Sequence, residues 1–456
     1  MQTNSAGQNN KKILFVSAPA DGHFNPLTGL AKHLQYLGYD VRWYTQEAYG
    51  EKLARLNIPH YQYVHAPQLH QDNFESFFTD RAQYKSQTAK FKFDLEHCFI
   101  LPATKIITDL EEIYKEFAFD IVIADIFSFV IPMVKSKFGV PVIAAGIIPL
   151  METSKDLPPA GLGLLPSSGF FGKLWQSALR SLTNNVILKK PNKLFRKVLQ
   201  EYMVVDPRKN IFDILYSSAD IVLQSCTPGF EYQRDDLSKN IRFAGPLLPY
   251  SISDISKERN SWFDAKLAQY DSVVLVTQGT VERDVNKLIV PTLEAFKNSR
   301  VLVVCTTGGS QTQVLKTRYS QPNIIIEDFI PFEEVMPYAD VYITNGGYGG
   351  VMLGIQNELP LVVAGVHEGK NEICARVGYF KYGINLKTEK PKPDQILKAV
   401  NEVISNPVYK SNVQTLRKEF SGYNPNEICA EYVLKLTQSG VMLKHKVKRL
   451  KASQKV

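Results

Sequence analysis

Five cysteines in 456 residues (Cys98, Cys226, Cys305, Cys374 and Cys429) are too scattered, and odd in number, to form a disulfide framework or a zinc knuckle. No apolar run reaches the roughly 18 residues of a membrane-spanning helix. The longest, Gly139 to Met151, is interrupted by Pro141 and Pro149. Met1 to Lys12 is polar and lacks the apolar core of a secretory signal, so the expected compartment is a reducing cytoplasm. Acidic pairs at strand ends and paired His or Cys spacings are both missing, so no metal site is expected. The first βα turn also lacks a G-x-G-x-x-G fingerprint with an acid about 20 residues further on, which demotes NAD-dependent oxidoreductases.

Apolar material is plentiful. With 44% hydrophobic and 21% charged residues the chain can fill more than one core, and its length suggests two domains of about 200 residues. The net charge of +8 is unevenly spread. Six Lys or Arg and no acid follow Val441, leaving 8 − 6 = +2 for the remainder, so nucleic acid is not an expected partner. A second basic stretch, Lys173 to Lys197, holds seven Lys or Arg and no acid, with Leu174, Leu179, Leu182 and Val186 at helical spacing. It reads first as an amphipathic helix with a solvated basic face, and second as a contact for a membrane surface or an anionic ligand.

From Lys12 the residues read as a buried strand (KKILFVSAP), a loop (ADGHFNP), a helix (LTGLAKHLQYLGY) and a second strand (DVRWYT). Pro26 suits a first helical turn with Asn25 as its cap, which places Gly22, His23 and Phe24 in the loop. FDIVIADIFSF and GVPVIAAG continue the pattern of buried parallel strands. A second series begins near Asp271 with DSVVLVTQGT, SRVLVVCTTGG, NIIIEDFIPF, ADVYITNGGYGG and LPLVVAG. The expected fold is α/β: two doubly wound, Rossmann-like domains with the carboxyl ends of both sheets at one cleft. We divide the chain into 11–245, a linker at 246–260, 261–424, and a C-terminal helix with a basic tail at 425–456.

KILFVSAPADGHFNPLTGLAKHL and EDFIPFEEVMPYADVYITNGGYGGVMLGIQNELPLVVAG together resemble the two halves of a family-1, GT-B-fold glycosyltransferase of the bacterial macrolide and natural-product type. The resemblance covers most of the chain. It implies an apolar acceptor on the N-terminal domain, a nucleotide-diphosphate sugar on the C-terminal one, and metal-independent transfer with inversion. UDP- or dTDP-sugar is then a co-substrate, with no further cofactor, and the oligomeric state stays open. His23 matches the family's base and Asp125 its orienting carboxylate, with capping of the next helix as the alternative role for Asp125. In the family's TNGGYGG-type turn, Asn345, Gly346, Gly347, Tyr348, Gly349 and Gly350 would meet the diphosphate. Asn345 replaces a common histidine, and Gly349-Gly350 replaces an Asn-Ser pair, so backbone amides carry more of the binding. Gln278, Gly279 and Thr280 match a second phosphate-proximal turn. Phe329 and Ile330 fall where the nucleotide base stacks, although core packing competes for Phe329. HEGKNE, with Glu368, Lys370 and Asn371, stands in for the sugar-reading pair; an exposed polar loop is the alternative. A lipid or sterol glycosyltransferase at a membrane surface and a nucleotide-sugar-binding protein without turnover are the other functional readings.

Overall fold

The computed structural model describes residues 10–68, 77–208, 210–250, 264–279, 282–367 and 369–438. Thr280, Glu368, linker residues 251–260 and the tail from 439 onward lie outside the described residues.

The first sheet contains β1 (Lys12–Val16), β2 (Asp40–Thr45), β3 (His60–Gln62), β4 (Ile121–Asp125), β5 (Val142–Gly146), β6 (Ile221–Gln224) and β7 (Ile241–Phe243). Their order is β3-β2-β1-β4-β5-β6-β7, all parallel. The second contains β8 (Ser272–Thr277), β9 (Val301–Thr306), β10 (Ile324–Glu327), β11 (Val341–Thr344), β12 (Leu361–Val363) and β13 (Gly383–Asn385), ordered β10-β9-β8-β11-β12-β13 and again parallel. All nine strands expected from the apolar runs are present. The additional β3, β6, β7 and β13 have three or four residues each, too short to leave a periodic signal. The helices used below are α1 (Asp21–Tyr36), α2 (Phe170–Leu182), α3 (Lys189–Glu201), α4 (Tyr348–Gln356), α5 (Lys370–Tyr379), α6 (Pro407–Phe420) and α7 (425–438).

Because successive strand residues point to opposite faces, the second sheet feeds two separate cores. Val273 and Leu275 pack on one side with Leu302, Val304 and Tyr342, while Val274 and Val276 pack on the other with Val303, Cys305 and Ile343. The Val273 side also takes in Cys226 and Phe230 from the first half of the chain, and Val413, Leu416 and Phe420 from α6. The α7 helix returns to the first sheet, burying Cys429, Ala430 and Val433 in its core. The first residues of the expected linker are tied there too: the Leu247 amide donates to Ser225 Oγ at 2.8 Å, and that of Tyr250 to Thr28 Oγ1 at 2.8 Å.

In each sheet the chain winds outward in one direction, then crosses back and winds in the other. The switch falls between β1 and β4 in the first sheet and between β8 and β11 in the second. Open α/β sheets bind ligands at the carboxyl end of such a switch. Those two places hold His23, Asp125, Gln278, Gly279 and the turn from Asn345 to Gly350, whereas Phe329 and Ile330 follow β10 and Lys370 and Asn371 follow β12.

Candidate active site

His23 and Asp125 meet at the first switch point. Nδ1 of His23 lies 3.0 Å from Asp125 Oδ1. Asp125 is fully buried, whereas the imidazole keeps about a fifth of its surface open. A buried carboxylate costs several kcal/mol unless it is hydrogen-bonded. Here it accepts from the Ala18 amide at 2.7 Å, the Phe127 amide at 2.9 Å and Ser128 Oγ at 3.1 Å. Those donors fix the carboxylate, and the carboxylate in turn holds the ring through Nδ1, so Nε2 is the ring nitrogen outside this bond. Asp120 sits at the opposite end of the sheet, where it accepts from Lys11 Nζ and the Lys12 amide.

The local structure around His23 differs from the expected loop. Helix α1 starts at Asp21, with extended Ala20 as its cap, and the amides of His23 and Phe24 both reach Ala20 O at 2.9 Å. The first turn therefore closes before Pro26, which lies inside the helix and removes one amide there. His23 thus stands on a rigid first turn. Aromatic rings line its surroundings: Phe127 at 5.8 Å between centroids, then Phe99 and Phe212 around Phe127 at 5.6 and 6.1 Å. Phe212 also lines a cavity with Met151, Thr153, Arg180, Thr183 and Leu188.

At the second switch point, two turns are tied together. Asn345 Nδ2 donates to the Gln278 carbonyl, and its Oδ1 accepts from the Gly347 amide at 3.3 Å. The amide expected to touch a diphosphate is instead used to join the turn after β8 to the turn after β11. Gly346 has φ +81°, and a Cβ there would collide with Cys374 Sγ, so only glycine fits. Burial pushes the Cys374 thiol up to about 12, which keeps it neutral beside this turn. Gly347 caps α4 without a side-chain bond, so the first-turn amides of Tyr348, Gly349 and Gly350 have no partner within the helix and carry its positive dipole end. Gly279 has φ +76°, and Gln278 is buried with its amide nitrogen on the Glu282 carbonyl at 3.2 Å.

Several predicted residues are placed differently. The Tyr348 side chain is buried, its hydroxyl accepting from Gln224 Nε2 of the first sheet at 3.2 Å. It joins the domains, and only its backbone amide faces the turn. Ile330 is a core residue, whereas Phe329 is 69% exposed and so not consumed by packing. Lys370 begins α5, its Cβ 3.9 Å from the place a side chain at position 346 would start. Asn371 Nδ2 donates to the Gly161 carbonyl at 2.8 Å, across to the loop that follows β5.

Three residues that sequence reasoning missed complete this junction. Glu372 Oε1 accepts from the amides of Gly161 and Gly163 at 2.8 and 2.7 Å, and Glu372 Oε2 accepts from Arg376 Nη1 at 2.8 Å. Arg376 also donates to Glu231 Oε2, and Glu231 Oε1 takes the Leu150 amide. The four-residue spacing of Glu372 and Arg376 was the available signal. Glu231 had none.

A carboxylate-held imidazole at one switch point and a helix N-terminus with open amides at the other form an arrangement that can serve group transfer from an anionic donor. Helix α1, which carries His23, packs against α4, which begins at the glycine turn.

Residues 303–434 match the family model described as the C-terminal domain of erythromycin biosynthesis protein CIII-like proteins. The 4'-demethylrebeccamycin synthase of Lentzea aerocolonigenes is 32% identical over 410 residues, spanning 90% of this chain and 96% of that one. UDP-glucosyltransferase 1 of Beauveria bassiana is 29% identical over 441 residues, spanning 91% and 93%. The crystal structure of the calicheamicin glycosyltransferase CalG4 superposes with a TM-score of 0.71 at 18% identity, over 93% of this chain and 98% of that one, which shows the shared GT-B fold. The chain belongs to the family-1 natural-product glycosyltransferases, and it is a glycosyltransferase.

Proposed function

We propose that the enzyme transfers a hexose from a UDP- or dTDP-sugar to a hydroxyl of an apolar small molecule, such as a phenolic, polyketide or macrolide, with inversion and without a metal ion. The observation that carries this reading is the 3.0 Å bond that holds His23 Nδ1 on buried Asp125 and leaves Nε2 free to accept a proton. In the reaction, Nε2 takes the acceptor's hydroxyl proton while its oxygen bonds to the anomeric carbon from the face opposite the diphosphate. The anomeric carbon–oxygen bond breaks, and the nucleoside diphosphate leaves with the electron pair. Asp125 stabilises the imidazolium so formed, and amides of Tyr348, Gly349 and Gly350 meet the charge growing on the diphosphate.

The aromatic lining of Phe99, Phe127 and Phe212 supports a flat apolar acceptor. Exposed Phe329 supports stacking on a pyrimidine, and Lys370 beside Gly346 supports a contact with the sugar or its phosphate. Glu368 and Thr280 enter as proposed donor contacts on sequence position alone. The test is a matrix of α-linked UDP- and dTDP-sugars against aromatic acceptors, read by mass spectrometry, with the product anomer assigned by NMR. A β-linked O-glycoside is the expected product. An α-linked product, or donor hydrolysis that no acceptor diverts, would contradict the proposal.

A further inference from the structure

Helix α2, with the wider turn Thr183–Ile187 that continues it, faces the wrong way for an ordinary surface helix. Phe171, Leu174, Trp175, Ala178, Leu182 and Val186 recur at steps of three and four residues, the spacing that normally points an apolar stripe at a core. Here the stripe points to solvent: Phe171 is 83% exposed and Trp175 65%. The polar side is turned inward. Gln176, buried, donates to the Ser167 carbonyl at 3.1 Å and accepts from its amide at 3.2 Å, while Arg180 Nη1 donates to the Leu157 carbonyl at 2.6 Å. Rotating the helix to hide the stripe would break all three bonds, so its orientation is specified by the sequence.

The charges around the stripe identify what covers it. From Leu157 to Gln200 there is no Asp or Glu. The next helix, α3, packs conventionally, with Phe195, Val198 and Leu199 in the first core and Lys189, Lys193 and Lys197 exposed. Lys190 is paired with Glu96 at 2.6 Å. An apolar, Trp-bearing stripe followed by a helix whose exposed lysines outnumber its one acid, Glu201, complements an anionic bilayer, whose acyl boundary takes the rings and whose phosphates take the ammonium groups. A second copy of the same face would instead bring like charges together. No described helix is long and apolar enough to cross a membrane, so the contact lies at the surface.

We propose that α2 docks this protein on an anionic lipid bilayer, with Phe171, Leu174, Trp175 and Leu182 entering the headgroup and acyl boundary. The inner side of the same helix lines the cavity that shares Phe212 with the rings around His23. An apolar acceptor dissolved in the bilayer would then meet the enzyme on this side; this last step rests on the proposed acceptor class, whereas the docking does not.

The test uses the full-length protein and sedimenting vesicles of phosphatidylcholine alone or with one quarter phosphatidylglycerol, without substrates. The expected result is binding to the anionic vesicles that weakens with added salt, accompanied by a blue shift of tryptophan emission. Phe171→Ser with Trp175→Ser should lower the partition coefficient at least tenfold, with circular dichroism and donor affinity unchanged. Trp175→Phe should keep most of the binding and lose most of the blue shift, and Lys193→Glu with Lys197→Glu should weaken binding to anionic vesicles only. Three results would overturn the proposal: no vesicle binding; binding that survives the stripe variant but vanishes when residues after Gly440 are deleted; or a dimer in sedimentation analysis that the stripe variant dissociates.

Discussion

Arg376 on α5 donates through Nε and Nη2 to a single oxygen of Glu231, at 3.0 and 2.7 Å, joining the sheet that carries the donor turn to the loop after β6. Both side chains are at least 96% buried. Burial works against the guanidinium charge, but Glu231 and Glu372 outweigh it and hold the Arg376 pKa above the ordinary arginine value. Removing one member of a buried ionic cluster leaves the others uncompensated, at a cost of about 3–5 kcal/mol. Arg376→Leu should therefore lower the free energy of unfolding by about that amount in urea, while Arg376→Leu with Glu231→Gln and Glu372→Gln should recover part of it. Equal stability of wild type and Arg376→Leu would show that the cluster is not coupled.

At the donor turn, Gly346→Ala introduces both a strained φ and a contact with Cys374 Sγ. The left-handed conformation alone costs an alanine about 1–2 kcal/mol, roughly 5- to 30-fold if it appears in donor binding. Calorimetry should show at least that loss. Adding Cys374→Ala removes the contact but not the strain, so recovery should be partial. Full recovery would assign the whole effect to the contact.

Phe329 and Ile330 are adjacent, yet their substitutions should separate. Truncating a stacked aromatic typically costs about 1–3 kcal/mol per base, so Phe329→Ala should weaken nucleotide binding by up to about a hundredfold and leave the melting temperature unchanged. Ile330 is buried, and Ile330→Ala should cost about 2–5 kcal/mol of stability. Unaltered nucleotide affinity in Phe329→Ala would remove it from the site.

Amides at the α4 N-terminus are proposed to take the role that a divalent ion plays elsewhere. Initial rates in excess EDTA should match those without it. A loss of most activity, restored by magnesium or manganese, would contradict the proposed donor chemistry.

Much of this was legible in sequence because uninterrupted apolar runs such as IVIAD and SVVLVT can only be doubly covered strands, and chemistry sits where such strands end. That rule narrows the search to the loops holding His23, Asp125 and the glycine turn, and the family resemblance supplies the role of each. What periodicity cannot say is which way a face turns. Leu174, Leu182 and Val186 are spaced like core residues and are exposed, because Gln176 and Arg180 found backbone partners on the inner side. Tyr348 and Asn371 read as ligand contacts because they stand in the right loops. Their side chains bond to Gln224 and Gly161, partners more than 120 residues away that no local pattern reveals. Sequence puts His23 in a loop because Pro26 resembles a first-turn residue, whereas the extended Ala20 already starts the helix.

The central claim is that His23 and Asp125 act as one unit, and a double-mutant cycle on turnover tests it most directly. Turnover is measured for wild type, His23→Ala, Asp125→Ala and the double variant with one aliphatic-alcohol acceptor, which cannot react without a base, and donor affinity is followed by calorimetry. His23→Ala should lower turnover by about 10²–10⁴-fold with donor affinity nearly unchanged. Asp125→Ala should cost less, and the double variant should match His23→Ala alone. Fully multiplicative losses, or near-normal turnover in His23→Ala, would contradict the account.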